Sequence, residues 1–180
     1  MKFILLLLAL CVGVVGIAAI VGSILPKDHV ASMTAPVNAS PIKVWSTITD
    51  VSAFPSWRPG LKSAELVSRA PLSWKETSSM GTMTLEADEF QPPARMVARI
   101  TESGGPFGGE WEYKVAADPS NPEKSQVTIT ERGWVSNVLF RFVSKFVMGH
   151  ESGINTYLKA LSRKFGPEAT PTSVTVKDST

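Results

Sequence analysis

From Phe3 to Leu25 the chain carries no charged residue, reading FILLLLALCVGVVGIAAIVGSIL. As an α-helix rising 1.5 Å per residue, a segment of this length reaches about 35 Å, enough to cross the roughly 30 Å hydrocarbon layer of a bilayer. A secretory signal peptide has an apolar core of only about 7–15 residues. The segment therefore reads as an uncleaved anchor, with cleavage near Val21-Gly22-Ser23 as the alternative. Cys11 follows the bulky Leu10 and reads as one more apolar residue rather than a lipidation site. Pro26 ends the helix, and Lys2 on one side faces a Lys27 offset by Asp28 on the other. That asymmetry leans towards a single-pass protein whose domain lies on the extracytoplasmic side, close against the bilayer.

Residues 27–166 must supply the globular domain. The 180-residue chain is 43% hydrophobic and 19% charged, a composition that folds, and its length suits one domain. Eighteen Lys and Arg against sixteen Asp and Glu leave a net charge of +2, too small to make nucleic acid a partner. A single cysteine excludes an internal disulfide or thiolate cluster, and two histidines leave little for a metal site. No cofactor is expected. The glycine run Gly104–Gly109 precedes no helix, so it is not a phosphate cradle, and no GxSxG nucleophile elbow occurs.

His29 to Val37 suits a first strand. Ser40-Pro41 starts a short helix, with Ser as N-cap and Pro at its first position, and Ile42, Trp45 and Ile48 form its apolar stripe. A second short turn stops at Pro55, and Trp57-Arg58-Pro59-Gly60 is a loop. Strand-like segments follow at Leu61–Arg69, Leu72–Ser78, Thr82–Phe90, Arg95–Glu102, Gly109–Ala116 and Gln126–Trp134. Their links are too short for parallel crossovers, so neighbours pair antiparallel. From Leu139 the period becomes helical through Phe142, Phe146, Ile154, Tyr157, Leu161 and Phe165, with Gly149 kinking or dividing the helix and Gly166-Pro167 stopping it. Residues 167–180 read as a disordered tail. The fold class is α+β, a curved antiparallel sheet wrapped around a long C-terminal helix and preceded by one transmembrane helix. Such an arrangement leaves an apolar cavity between sheet and helix.

Strand alternation selects the side chains that reach this cavity. Trp111 and Tyr113 face inwards, opposite Glu110, Glu112 and Lys114. Trp74 and Glu76 share a face, as do Val127, Ile129 and Glu131, which places carboxylates among apolar groups. Each would need a partner, drawn from Arg58, Arg99 or Arg132, or would act on a ligand as acid, base or hydrogen-bond acceptor. Trp57 sits where an entrance would be, and Phe142 and Phe146 face either sheet or ligand. Arg141 and Lys145, four apart among bulky apolar residues, mark either a membrane-surface helix or the solvated edge of a core helix.

The order of elements, together with Asn38–Asp50 (NASPIKVWSTITD), Phe54–Trp57, Gly109–Val115 (GEWEYKV), Val127–Gly133 (VTITERG) and the terminal helix, resembles the START-like superfamily, also called SRPBCC, with its polyketide cyclase/dehydrase-like members. The resemblance covers residues 29–166 and implies a helix-grip fold holding a hydrophobic or amphipathic ligand. It carries no shared catalytic motif. The expected function is a membrane-anchored binding protein for a hydrophobic small molecule or lipid, lined by Trp57, Trp74, Glu76, Trp111, Tyr113, Glu131, Phe142 and Phe146. Glu131, Glu76 or Arg132 would orient the ligand. The alternative is a cyclase- or dehydratase-like enzyme using the cavity carboxylates as acid and base.

Overall fold

The computed structural model describes residues 2–176. Helix α1 (Lys2–Ile24) leads into strand β1 (Asp28–Val37), helix α2 (Pro41–Thr49) and a 3-10 turn at Val51–Ser56. Six strands follow: β2 (Leu61–Arg69), β3 (Leu72–Ser78), β4 (Gly81–Gln91), β5 (Arg95–Ile100), β6 (Phe107–Asp118) and β7 (Asn121–Val135). Helix α3 (Val138–Val143), a π-helical turn at Ser144–Met148, helix α4 (Ser152–Arg163) and the two-residue strand β8 (Thr172–Ser173) complete the chain.

The strands form one antiparallel sheet in the order β2-β3-β4-β5-β6-β7-β1-β8. β1 closes the far edge of the meander by pairing with β7 from Asp28↔Trp134 to Val37↔Ser125. Register shifts between β2 and β3, and between β4 and β5, mark bulges, which bend a sheet and strengthen its twist. Strands β6 and β7 run longer than their hydrophobic alternation suggests. Asp118 accepts hydrogen bonds from the backbone N–H and hydroxyl of Ser120, so a tight turn replaces the longer loop expected over residues 118–124.

The concave face is covered by α4, whose Ile154, Tyr157, Leu158 and Leu161 recur at i, i+3, i+4 and i+7 and are all buried. α2 closes the same core through Val44, Trp45 and Ile48. Ser40 does occupy the N-cap of α2 and Pro41 its first turn, although the Ser40 hydroxyl makes no capping bond. The helical pattern beyond Leu139 is not one continuous helix. At Gly149 the backbone takes φ +77° and ψ +139°, a conformation essentially reserved for glycine, and this divides α3 and its π turn from α4. Nothing lies within 4 Å of a Cβ built there, so Gly149→Ala should cost about 1–3 kcal/mol of stability through backbone strain alone. Chemical denaturation of the variant checks this.

The C-terminal segment departs from the expected disorder. Thr172 and Ser173 pair with Thr34 and Met33, Val174 N–H donates to the Ser32 carbonyl at 2.8 Å, and Pro171 is buried. β1 would otherwise be an edge strand with unpaired backbone groups, and this short strand satisfies some of them. Residues 177–180 of the expected tail lie outside the described residues.

The end of α1 is built into the domain. A Cβ at Gly22 would fall 1.9 Å from the Val138 carbonyl oxygen, so α1 and α3 approach as closely as two backbones can. Arg141 on α3 donates to the Leu25 carbonyl and to the Ser136 carbonyl, each at 3.0 Å.

Candidate functional site

The interior between sheet and α4 centres on an ion pair. Arg58, placed by the loop after the 3-10 turn, meets Glu76 on β3 through both terminal guanidinium nitrogens, one of them Nη2–Oε2 at 2.9 Å. The Trp74 indole N–H donates to the same carboxylate at 2.7 Å. The side chains of Arg58 and Glu76 are only 19% and 8% exposed, so the pair sits largely out of water. Its guanidinium carbon lies 5.0 Å from the Phe54 ring and 5.3 Å from the Tyr157 ring, within cation–π range.

Aromatic rings box this pair. Tyr157, reaching down from α4, packs edge-on against Trp57 at 5.2 Å and Trp111 at 5.7 Å, and lies 5.7 Å from Tyr113. Burial pushes the Tyr113 and Tyr157 phenols above their ordinary range, so both remain neutral hydrogen-bond donors at physiological pH. The Trp57 indole nitrogen is buried and has no hydrogen-bond partner among the described residues. A buried unpaired donor costs about 1–3 kcal/mol.

Five of the residues singled out in the sequence therefore converge: Trp57, Trp74, Glu76, Trp111 and Tyr113. Glu131 does face inwards, opposite Trp111 in the β6–β7 register, but it pairs with His29 at 3.2 Å rather than with Arg58. His29 in turn stacks on His150, ring centroids 4.1 Å apart. Phe142 and Phe146 pack on each other at 5.0 Å outside the box, and Phe146 is 60% exposed. Arg132 cannot orient an interior ligand, because it projects to the outer face of the sheet beside Glu110. Arg99 joins it there, bonded to Glu110 and Asp88.

Arg58 appeared in the sequence only as a possible partner for a carboxylate, and Tyr157 only as part of a helical stripe. The two histidines gave no sign of meeting, since 121 residues separate His29 from His150. Desolvation, then the neighbouring His29 and Lys145, hold the His150 pKa below its usual value, with Glu131 opposing weakly. Because His150 binds fewer protons when folded than unfolded, it contributes stability above about pH 6.5 that is lost as the pH falls through its lowered folded pKa. His150→Gln should flatten that acid limb of a melting-temperature profile.

Over residues 28–161 the sequence matches the family described as polyketide cyclase / dehydrase and lipid transport. The chain belongs to this family. The large antiparallel sheet and its covering helices match the architecture of START-like solved structures. No curated protein matches the chain in sequence. Among solved structures, a conserved protein from Geobacillus kaustophilus superposes with a TM-score of 0.62 at 18% identity, covering 79% of this chain and 99% of its own. A START superfamily protein from Mycobacterium smegmatis gives 0.61 at 18% identity, over 76% of this chain and 97% of that one. The Zhui aromatase/cyclase from a Streptomyces species gives 0.62 at 15% identity, over 76% and 93%. At these identities the likeness establishes the fold, and function must be argued from the site.

Proposed function

We propose that this chain is a membrane-anchored binding protein that holds a hydrophobic small molecule or lipid between its sheet and α4. The observation that carries the reading is the buried Arg58–Glu76–Trp74 cluster inside an aromatic box with an unpaired Trp57 N–H. Rings from Trp57, Trp111, Tyr113 and Tyr157 offer apolar surface, and each Å² removed from water contributes about 25 cal/mol before ordering costs. The phenols and the indole N–H offer donors to a ligand carbonyl or hydroxyl. Both oxygens of Glu76 are engaged by Arg58, which suits holding a position better than abstracting a proton. The enzymatic alternative therefore ranks second.

The anchor reading is supported by α1, long and apolar enough to cross a membrane. It is supported also by the surface next to the helix end, where Leu139, Val143, Phe146, Val147 and Met148 are exposed. Beside them a cleft of about 490 Å³ is lined by Met80, Pro106, Phe107, Leu139, Phe140 and Val143. An apolar patch there would rest on the bilayer and give a membrane-dissolved ligand a dry route to the domain.

Native mass spectrometry of the full chain released from detergent micelles tests the reading. A discrete bound mass that organic extraction removes, and that Trp57→Ala reduces by roughly tenfold for the loss of one good interior contact, is the expected result. An apo mass unchanged by added lipids and polyketide-like aromatics would overturn it.

A further inference from the structure

A second cavity, of about 260 Å³, lies where α1 joins the domain. Its lining includes Lys27, Arg141, Lys145, His29 and His150, against a single carboxylate, Asp28. Lys27, Arg141 and Lys145 keep their charge at any physiological pH. Glu131 is bonded to His29 and is not among the lining residues.

Arg141 makes the arrangement unusual. It is 9% exposed, pairs with no carboxylate among the described residues, and spends two guanidinium nitrogens on the neutral carbonyls of Leu25 and Ser136. Its Nε is buried without any hydrogen-bond partner among the described residues. A charge taken this far out of water is costly unless a counter-charge meets it. The fold has thus placed an uncompensated guanidinium in the wall of a small cavity already rich in cations.

We propose that this cavity binds a phosphate group. A guanidinium, an ammonium and imidazoles are the donors that phosphate oxygens select, through short charge-assisted hydrogen bonds. The volume falls below the range of about 300–1,000 Å³ that encloses whole drug-sized ligands, so it suits a headgroup rather than an entire lipid. Position names the source. With α1 ending at Ile24, residues 25–30 follow directly on the hydrocarbon span and occupy the headgroup layer, where anionic lipids present their phosphates. The phosphate site is separate from the aromatic box; only its lipid source rests on α1 lying in the bilayer.

The test uses the full chain in neutral detergent micelles carrying equal amounts of phosphatidylglycerol and phosphatidylcholine, read by native mass spectrometry, with a parallel calorimetric titration of inorganic phosphate. Lys145→Gln combined with His150→Gln removes one lining cation and one imidazole donor whose side chains make no described hydrogen bond, and spares Arg141, which also holds the end of α1. Selective retention of phosphatidylglycerol, weakened about tenfold in the double variant, is the expected result for the loss of charge-assisted contacts. Saturable binding of inorganic phosphate with the same sensitivity, and no lipid preference, supports the phosphate site and overturns its lipid source. Equal retention of both lipids with no phosphate binding, or phosphatidylglycerol retention and phosphate binding that the double variant leaves unchanged, overturns the proposal. Trp57→Ala separates the two sites: it should weaken interior binding about tenfold and leave phosphatidylglycerol retention intact.

Discussion

Arg58→Met should lower the unfolding free energy by about 3–5 kcal/mol, the cost of leaving a buried carboxylate without its partner. Glu76 is 6% exposed, and its remaining described side-chain contact, the Trp74 N–H, is neutral and cannot replace a bidentate guanidinium. The flanking rings of Phe54 and Tyr157 would also lose their stacked cation. Replacing both members, as Arg58→Met with Glu76→Leu, should recover most of the loss, because an apolar pair of similar volume leaves no charge to desolvate. Urea denaturation of the two single variants and the double variant measures this coupling directly. A double variant as unstable as the sum of its parts would show that the pair contributes packing rather than charge complementarity.

Leu158→Ala should cost about 2–5 kcal/mol, the range for truncating a buried leucine and leaving a cavity behind. Leu158 is 0% exposed and lies in the middle of the α4 stripe, between Ile154 and Leu161, which are equally buried. α4 spans the concave face by this stripe, so the loss falls on the layer that holds helix to sheet. Phe146→Ser is the matched control. Its ring is 60% exposed, and the substitution should change stability by less than about 0.5 kcal/mol. Melting and denaturation curves of the pair therefore distinguish the helix that closes the core from the turn that does not.

These two residues also show how unevenly the sequence reports its structure. The α4 stripe was legible through Ile154, Tyr157 and Leu161, because a period of 3.6 survives in their spacing wherever a helix covers a core, although Leu158 was not picked out with them. Phe146 shares the same apparent rhythm, yet the π turn before Gly149 rotates it off that face. Periodicity cannot register such a change in winding within a single turn. Strand positions were similarly legible from alternation: Trp74, Glu76, Trp111, Tyr113 and Glu131 all face inwards. Their grouping was not, since alternation specifies a face and says nothing of distance along it. Glu76 and Glu131 looked equivalent, but β3 and β7 lie four strands apart in the sheet.

Short-range chemistry is what this sequence determined alone. An uncharged run from Phe3 to Leu25 sets α1, Pro41 opens α2, paired turn residues space the meander, and alternation assigns each strand its inner face. Each depends on residues a few positions apart, whose preferences act before any fold exists. Tertiary structure decided which distant groups meet: Arg58 with Glu76 and Tyr157, His29 with Glu131 and His150, and Arg141 with the carbonyl at the end of α1. Those encounters follow from β1 crossing to the far edge beside β7 and from α4 lying across the concave face. Burial then turns ordinary side chains into a site, because a charge or donor that water would satisfy anywhere on the surface must find its partner inside the protein or in what the protein binds.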